Sequence, residues 1–350
     1  MQGSFDQFWG NSSIVDALSG MLSSERIPQT ILFGGPEGVG KATLVRRFAA
    51  ALLGHGPQIE QDDLSLPANI ELIEQREKWP AEKRAEDPLL FASHPDFLTF
   101  APDGPLRQIS IQQMRLMKER AQFKPLRGKH RIFLVDRLDR ANEQAANSLL
   151  KLFEEPPDYL ILFATAENLY DLLPTIRSRS IVFQLSRLSD EEMRDFIKTR
   201  QLSDPDIRLA LAQGCPGAAV SLDLASYRER RELVLALFEA ASGATPFSAW
   251  IRSSESFASR KTEKLEFYFR PAYSLLEDVL FEWQGTRSAR NLDVKTRISQ
   301  IAKRVNFAWI EAAGRAIDEL TVMARRNIQK IIALDAVIMD LRNQLKVDSA

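Results

Sequence analysis

Between Thr30 and Leu53 the chain reads TILFGGPEGVGKATLVRRFAAALL: a short apolar run, a loop with four glycines, and a stretch with Arg46 and Arg47 on one face and apolar groups on the other. The first part has the pattern of a buried strand and the last that of an amphipathic helix. Strand, glycine loop and helix in this order form the setting in which G-x-x-x-x-G-K-[ST] cradles phosphate. Backbone N–H groups surround the anion, the lysine meets the β and γ phosphates, and a hydroxyl reaches Mg²⁺. Gly35, Gly40 and Lys41 fill the spacing, with Gly38 inside it. The next position is Ala42, which has no hydroxyl, and Thr43 comes one residue late. A glycine turn before an ordinary helix is the alternative.

RIFLVDRLDRAN, from Arg131 to Asn142, is a second buried-strand pattern, and it ends on Asp136. A carboxylate at such a strand tip is placed to hold the Mg²⁺ of a bound nucleotide. Together with the glycine loop it predicts a P-loop NTPase fold. Hydrolysis is a separate matter, because a second carboxylate would have to follow at once to polarise the attacking water. That position is Arg137, whose guanidinium stays charged and accepts no proton. Glu143 and Asp139 lie close by in sequence but not at the strand tip.

Around these motifs strands and helices alternate, which predicts a parallel α/β sheet. FLTFAP is a strand, SIQQMRLMKERAQF a helix opened by Ser110 as N-cap, AANSLLKLFEEPP a helix stopped by two prolines, and YLILFAT a further strand. Residues 14–24 have helical spacing as well. From 54 to 95 the pattern dissolves into charge, Pro and Gly, with a short helix at 69–78, and reads as a surface insertion. After residue 188 the strand signal stops. DEEMRDFIKTR and DIRLALAQ predict a small helical unit, GCPG a break, and AAVSLDLA another helix. From 227 to 346 the chain reads as helical throughout, with Leu334, Val337, Ile338, Leu341 and Leu345 on one stripe. The expected domains are 1–187, α/β; 188–226, a helical lid; and 227–350, a helical collar.

With 350 residues and 45% apolar content there is ample material for such cores. Forty-six basic against 47 acidic side chains leave a net charge of -1, so any nucleic-acid contact must come from a local patch. Arg115, Lys118, Lys124, Arg127 and Lys129 are such a stretch, or else a solvated helix face. One cysteine, Cys215, excludes an internal disulfide and a Cys-based zinc site. No apolar run approaches the roughly 18 residues of a membrane span, and the N-terminus lacks the pattern of a leader, so a soluble cytoplasmic protein is expected. His94 and His130 are isolated and read as surface or loop residues. Phe8 and Trp9 could wall an adenine pocket or pack the N-terminal segment on the core.

LLPTIRSRS, 172–180, puts Arg177 and Arg179 in a loop after a sheet strand. A solvated basic turn is one reading, and an arginine reaching the γ-phosphate held by a neighbouring subunit is the other. The set GPEGVGKAT, HPDFLTF, IFLVDRLDRANEQAANSLLKLFEEPP, ILFATAEN, LPTIRSRS and GCPGAAVSL resembles the delta-prime subunits of bacterial DNA polymerase III clamp loaders, a family of AAA+ proteins. The resemblance covers most of residues 5–225. It implies an AAA+ core with a helical lid and a helical collar that joins a five-membered ring with gamma/tau and delta subunits, which opens the sliding clamp and places it on primed DNA.

The family's arginine finger, in a Ser-Arg-Cys motif, falls on Arg179 between Ser178 and Ser180, and its sensor-1 position falls on Thr165. The sensor-2 arginine of G-x-x-R is missing from Gly214-Cys215-Pro216-Gly217. Ala42, Arg137 and Gly217 are thus three losses of groups that an anionic transition state depends on. The resemblance therefore implies a cradle where ATP or ADP is bound weakly or not at all, and a catalytic contribution in trans from Arg179. The family's zinc module has no cysteines here to form it, so no zinc is expected. An active gamma/tau-like motor and an unrelated P-loop kinase are the rival readings.

Overall fold

A computed structural model describes residues 5, 8–258, 265–286, 290–324 and 329–347. The chain divides into two compact units, Met1–Pro205 with Ala212–Ser221, and Asp206–Leu211 with Leu222–Ala350. The first unit is built on six strands: β1 Thr30–Gly34, β2 Phe91–His94, β3 Phe97–Phe100, β4 Arg131–Val135, β5 Leu160–Ala166 and β6 Ile181–Gln184. They lie in the order β2-β3-β4-β5-β1-β6, and only the β2–β3 pair is antiparallel. Helices cover both faces, so β1, β3, β4 and β5 are buried along their whole length, as continuous apolar runs in a parallel sheet must be. Phe33, Phe48 and Phe163 fill one side, with Phe163 at 6.0 Å from Phe33 and 5.3 Å from Phe48, and Phe100, Phe133 and Met114 the other.

The strand–helix alternation and several boundaries were legible beforehand. The helices Lys41–Leu53, Ile111–Ala121 and Glu143–Glu154 are present, and Ser110 caps the second through a capping box with Gln113. Two strands escaped. β6 is an edge strand whose residues are mostly exposed, so it lacks the buried apolar run of its neighbours, and β2 sits at the end of the charge-rich segment. LPTIRSRS is not a loop throughout: Pro174–Ser178 forms a short helix, with Arg179 as its C-cap. AAVSLDLA is not one helix either, because Asp223 stops Pro216–Ser221 and caps the next, accepting the N–H groups of Ala225 and Ser226.

The segment 54–95 is folded rather than patternless. Its helices Gly56–Ile59, Pro67–Glu77 and Ala81–Glu86 are anchored by buried ions that sequence periodicity does not reveal. Arg46, on the helix after the glycine loop, holds Glu60 at 2.9 Å and Asp63 at 2.5 Å. Arg76 is buried and grips Asp103 at 2.7 Å, the Asp87 carbonyl at 2.5 Å and the Asp87 carboxylate at 3.4 Å. A buried guanidinium survives only with such partners.

His94 corrects the expectation of a surface histidine. It is fully buried on β2; its Nδ1 accepts the N–H of Asp96 at 3.1 Å, its ring lies 5.6 Å from His55, and its Nε2 is buried without a hydrogen-bond partner. Burial lowers its pKa below the ordinary 6.5; Asp96 opposes this, while His55 and Arg127 add to it.

The second unit is all helical among its described residues: Leu224–Ala241, Phe247–Ala258, Phe269–Trp283, Lys295–Ala302, Phe307–Ala324 and Lys330–Val347 pack around Trp250, Trp309, Phe238 and Leu275. Of the helical stretch expected over 227–346, residues 259–264, 287–289 and 325–328 lie outside the described residues. The stripe on the last helix packs as its spacing predicts, with Leu334, Ile338 and Leu341 buried and Val337 and Leu345 against them. A buried polar cluster lies beside this core: Arg231 holds Asp293 at 2.5 Å and Asn291 at 3.1 Å, and Asn291 donates to Asp278 at 2.8 Å.

The buried neutral His94 generates a pH prediction. The unfolded chain binds this proton near pH 6.5 and the folded chain only at lower pH, so stability falls as pH drops from about 6.5 towards the folded value. His94→Asn, which keeps an acceptor near Nδ1, is expected to lose less stability than the native chain between pH 7 and pH 5, read from urea midpoints.

Candidate functional site

Parallel strands carry their carboxyl ends to one edge, and the conspicuous residues collect there. The glycine loop leaves β1 through Gly35, Gly38 and Gly40, at φ 139°, 78° and 106°. Space matters as well as conformation: a Cβ on Gly38 would lie 2.8 Å from the backbone nitrogen of Ala218, and one on Gly35 would lie 2.6 Å from the Leu185 carbonyl oxygen. Lys41, the first residue of its helix, is buried and folds back on the loop, donating from Nζ to the carbonyls of Gly35 at 2.5 Å and Pro36 at 2.9 Å. Burial lowers its pKa, against the pull of Asp136 and Glu167. Ala42 packs against the core. The hydroxyl of Thr43 accepts from Arg46 at 3.4 Å, so this late hydroxyl is engaged with the Arg46 ion cluster.

Asp136 follows β4 directly and is brought beside Thr165 on β5. Thr165 donates its hydroxyl to Asp136 Oδ1 at 2.6 Å and accepts the backbone N–H of Arg137 at 2.8 Å, so one hydroxyl ties the two strand tips. Burial raises the pKa of Asp136; the Thr165 bond and the charges of Arg137 and Lys41 act against it. Arg137 adopts a left-handed backbone at φ 58° and reaches over to the glycine loop, where Nη2 meets Glu37 Oε2 at 2.9 Å. Glu37, at a variable position of the motif, was not legible as its partner. Asp139 lies in the turn after Arg137, and Glu143 is the exposed first residue of the next helix.

The helix Pro216–Ser221 closes directly on the glycine loop. Gly217 donates its N–H to the Gly38 carbonyl at 2.8 Å, and a Cβ on Gly217 would lie 3.0 Å from that oxygen. Where the motif expects an arginine, the backbone therefore touches the loop. Phe8 packs at Gly40, where an added Cβ would meet its ring at 3.1 Å, and Trp9 stands edge-on to Phe196 at 5.9 Å. These contacts favour the packing alternative for both aromatics.

Arg179 stands apart from all of this. It precedes β6 and lines a cavity of about 490 Å³ with Thr30, Phe153, Glu154, Pro156 and Ile181, at the amino ends of β1 and β6. The five residues of β1 separate this end from the glycine loop, roughly 16 Å at about 3.3 Å per residue. Arg179 is 43% exposed; its Nη2 lies 3.4 Å from Glu154 Oε1 and its Nη1 donates to the Thr175 carbonyl at 3.3 Å. Arg177 instead stacks over Tyr170, 5.1 Å from the ring centroid. On another face Arg115, Lys124, Arg127 and Lys129 are exposed and Lys118 half-buried, and Asp96 shapes their loop by accepting the N–H groups of Leu126 and Arg127 at 2.8 and 2.7 Å. His130 is half-buried, with Nδ1 lacking a hydrogen-bond partner. Among the described residues no group of three or more His, Cys, Asp or Glu could hold a metal ion, and no helix is long and apolar enough to cross a membrane.

The family model described as "DNA polymerase III, delta subunit" matches residues 10–189, just over half of the chain. The chain belongs to this family of clamp-loader AAA+ proteins. Among members of the wider clamp-loader group, DNA polymerase III subunit gamma/tau of Mycobacterium tuberculosis is 30% identical over 202 residues, 55% of this chain and 30% of the relative. The chain thus spans under a third of that relative's length. Subunit delta' of Escherichia coli K12 is 25% identical over 223 residues, 63% of this chain and 65% of that one. Among solved structures, a gamma-subunit-related protein of Thermotoga maritima is 19% identical with a TM-score of 0.46, over 94% of this chain and 99% of that one.

The Asp136–Thr165–Arg137 bridge carries its own test. Thr165→Val keeps the volume but leaves a buried carboxyl oxygen and a backbone N–H without this partner, so a loss of about 1–3 kcal/mol in unfolding free energy is expected from urea titration of the isolated chain.

Proposed function

We propose that this chain is the delta-prime-type subunit of a DNA polymerase III clamp loader, idle at its own cradle and supplying Arg179 to ATP held by a neighbouring subunit. The observation that carries the reading is the position of Arg179: half-exposed, and at the opposite end of the sheet from the chain's own glycine loop. A guanidinium there cannot serve its own cradle and is presented outwards, where a planar charged fork suits a transferring phosphoryl group. The family membership and the match to delta' of E. coli, spread over similar shares of both chains, support the same assignment.

The cradle itself does not fit a magnesium nucleotide as it stands. The lysine that would meet phosphate is spent on two loop carbonyls, the residue after it offers no metal ligand, and the place of the catalytic base holds an arginine paired with Glu37. Gly217 rests on the loop where a sensor arginine would otherwise reach in. No catalytic step is assigned to Gly35, Gly38, Gly40, Lys41, Ala42, Thr43, Asp136 or Thr165; in this reading they shape a rigid body. As partners the reading implies gamma/tau and delta subunits in a five-membered cytoplasmic ring, the sliding clamp, and primed DNA, with 227–350 as collar and 188–226 as lid. No zinc is needed, because buried arginines anchor the 54–95 segment.

The test compares the purified chain with the reconstituted loader. The isolated chain is expected to turn over no ATP and to show no saturable binding of a fluorescent ATP analogue at concentrations that saturate gamma. In the complex, Arg179→Ala is expected to lower hydrolysis at the one affected site by several powers of ten. Substantial turnover by the isolated chain would favour the gamma/tau-like motor, and an unaffected complex would remove the role of Arg179.

A further inference from the structure

Arg179 is not free while it waits. Its guanidinium lies 3.4 Å from Glu154, across the mouth of the 490 Å³ cavity that both residues line. Glu154 is the last residue of the helix Glu143–Glu154, where the helix dipole disfavours a carboxylate, so its place is not explained by the helix that carries it. The backbone behind each charge is fixed. Gln29 donates to the carbonyls of Pro156 at 3.3 Å and Pro157 at 3.0 Å, which holds the turn after Glu154, and pairing of Ile181 with Ile31 sets the strand that follows Arg179.

We infer that Glu154 is the resting partner of Arg179, a positioning residue that holds the guanidinium at the cavity mouth and yields it to the triphosphate of a docked neighbour. This rests on the reading of Arg179 as a finger in trans. The pair is exposed on both sides, 43% and 40%, so water screens it and release costs little. A polyphosphate carries more negative charge than one carboxylate and accepts the guanidinium fork in a bidentate manner, so it wins the exchange. Glu154 therefore stabilises the undocked state alone, and its charge raises the ATP concentration that the shared site needs without entering the chemical step.

Glu154→Gln in the reconstituted loader is expected to lower the half-saturating ATP concentration of the Arg179-dependent turnover, by up to about fivefold, the range of an exposed ion pair, with kcat unchanged. Glu154→Asp, which keeps the charge on a shorter stem, is expected to lie between the two. In an Arg179→Ala background the Gln substitution is expected to have no further effect, since a double-mutant cycle reports the pair itself. A merely structural role would lower kcat or thermal stability in either background. An unchanged or raised half-saturating concentration, or a fall in kcat, overturns the assignment of Glu154 while a large Arg179→Ala effect leaves the finger standing. An absent Arg179→Ala effect removes the finger, and this inference with it.

Discussion

Parallel pairing of β3, β4, β5, β1 and β6 sets the two ends of this sheet apart, and the functional reading depends on that separation. Parallel strands must all finish at one edge, so the glycine loop, Asp136 and Thr165 meet there. The amino ends collect at the other edge, where Arg179 and Glu154 face each other over a cavity. A glycine loop and an exposed arginine can thus belong to one chain without meeting one another. Only a head-to-tail neighbour brings such an arginine to a cradle.

At the carboxyl edge the polar groups around the glycine loop are satisfied internally. Lys41 is held by loop carbonyls, Arg137 by Glu37, and the Gly38 carbonyl by the Gly217 N–H. Each contact is modest, but together they tie the loop to β4, to the helix Pro216–Ser221 and to its own helix. Gly217 allows an approach that a side chain would obstruct, and Arg137 straps β4 to the loop through Glu37.

The 54–95 segment shows how a charged stretch can fold without periodicity. Arg46 and Arg76, buried on two different helices, each draw two carboxylates together. A surface salt bridge contributes little, whereas a buried guanidinium stripped of its partners is costly, so these clusters specify one arrangement of the short helices. Long-range ion pairing of this kind leaves no mark in local composition, and the segment therefore reads as a loop until it is folded.

Local pattern alone determined the strand–glycine–helix unit, the alternation that demands a parallel sheet, the Ser110 cap and the stripe from Leu334 to Leu345, because each depends on neighbours within a few residues. Tertiary structure alone decided where the charges went. The partnership of Arg137 with Glu37, the grip of Arg46 on Glu60 and Asp63, the burial of His94, the exposed edge strand β6 and the facing of Arg179 by Glu154 all join residues well apart in the chain or depend on packing. The physical reason is that periodicity records which face of an element is apolar, while the partner of a charge is set by whichever element the fold brings within about 4 Å of it.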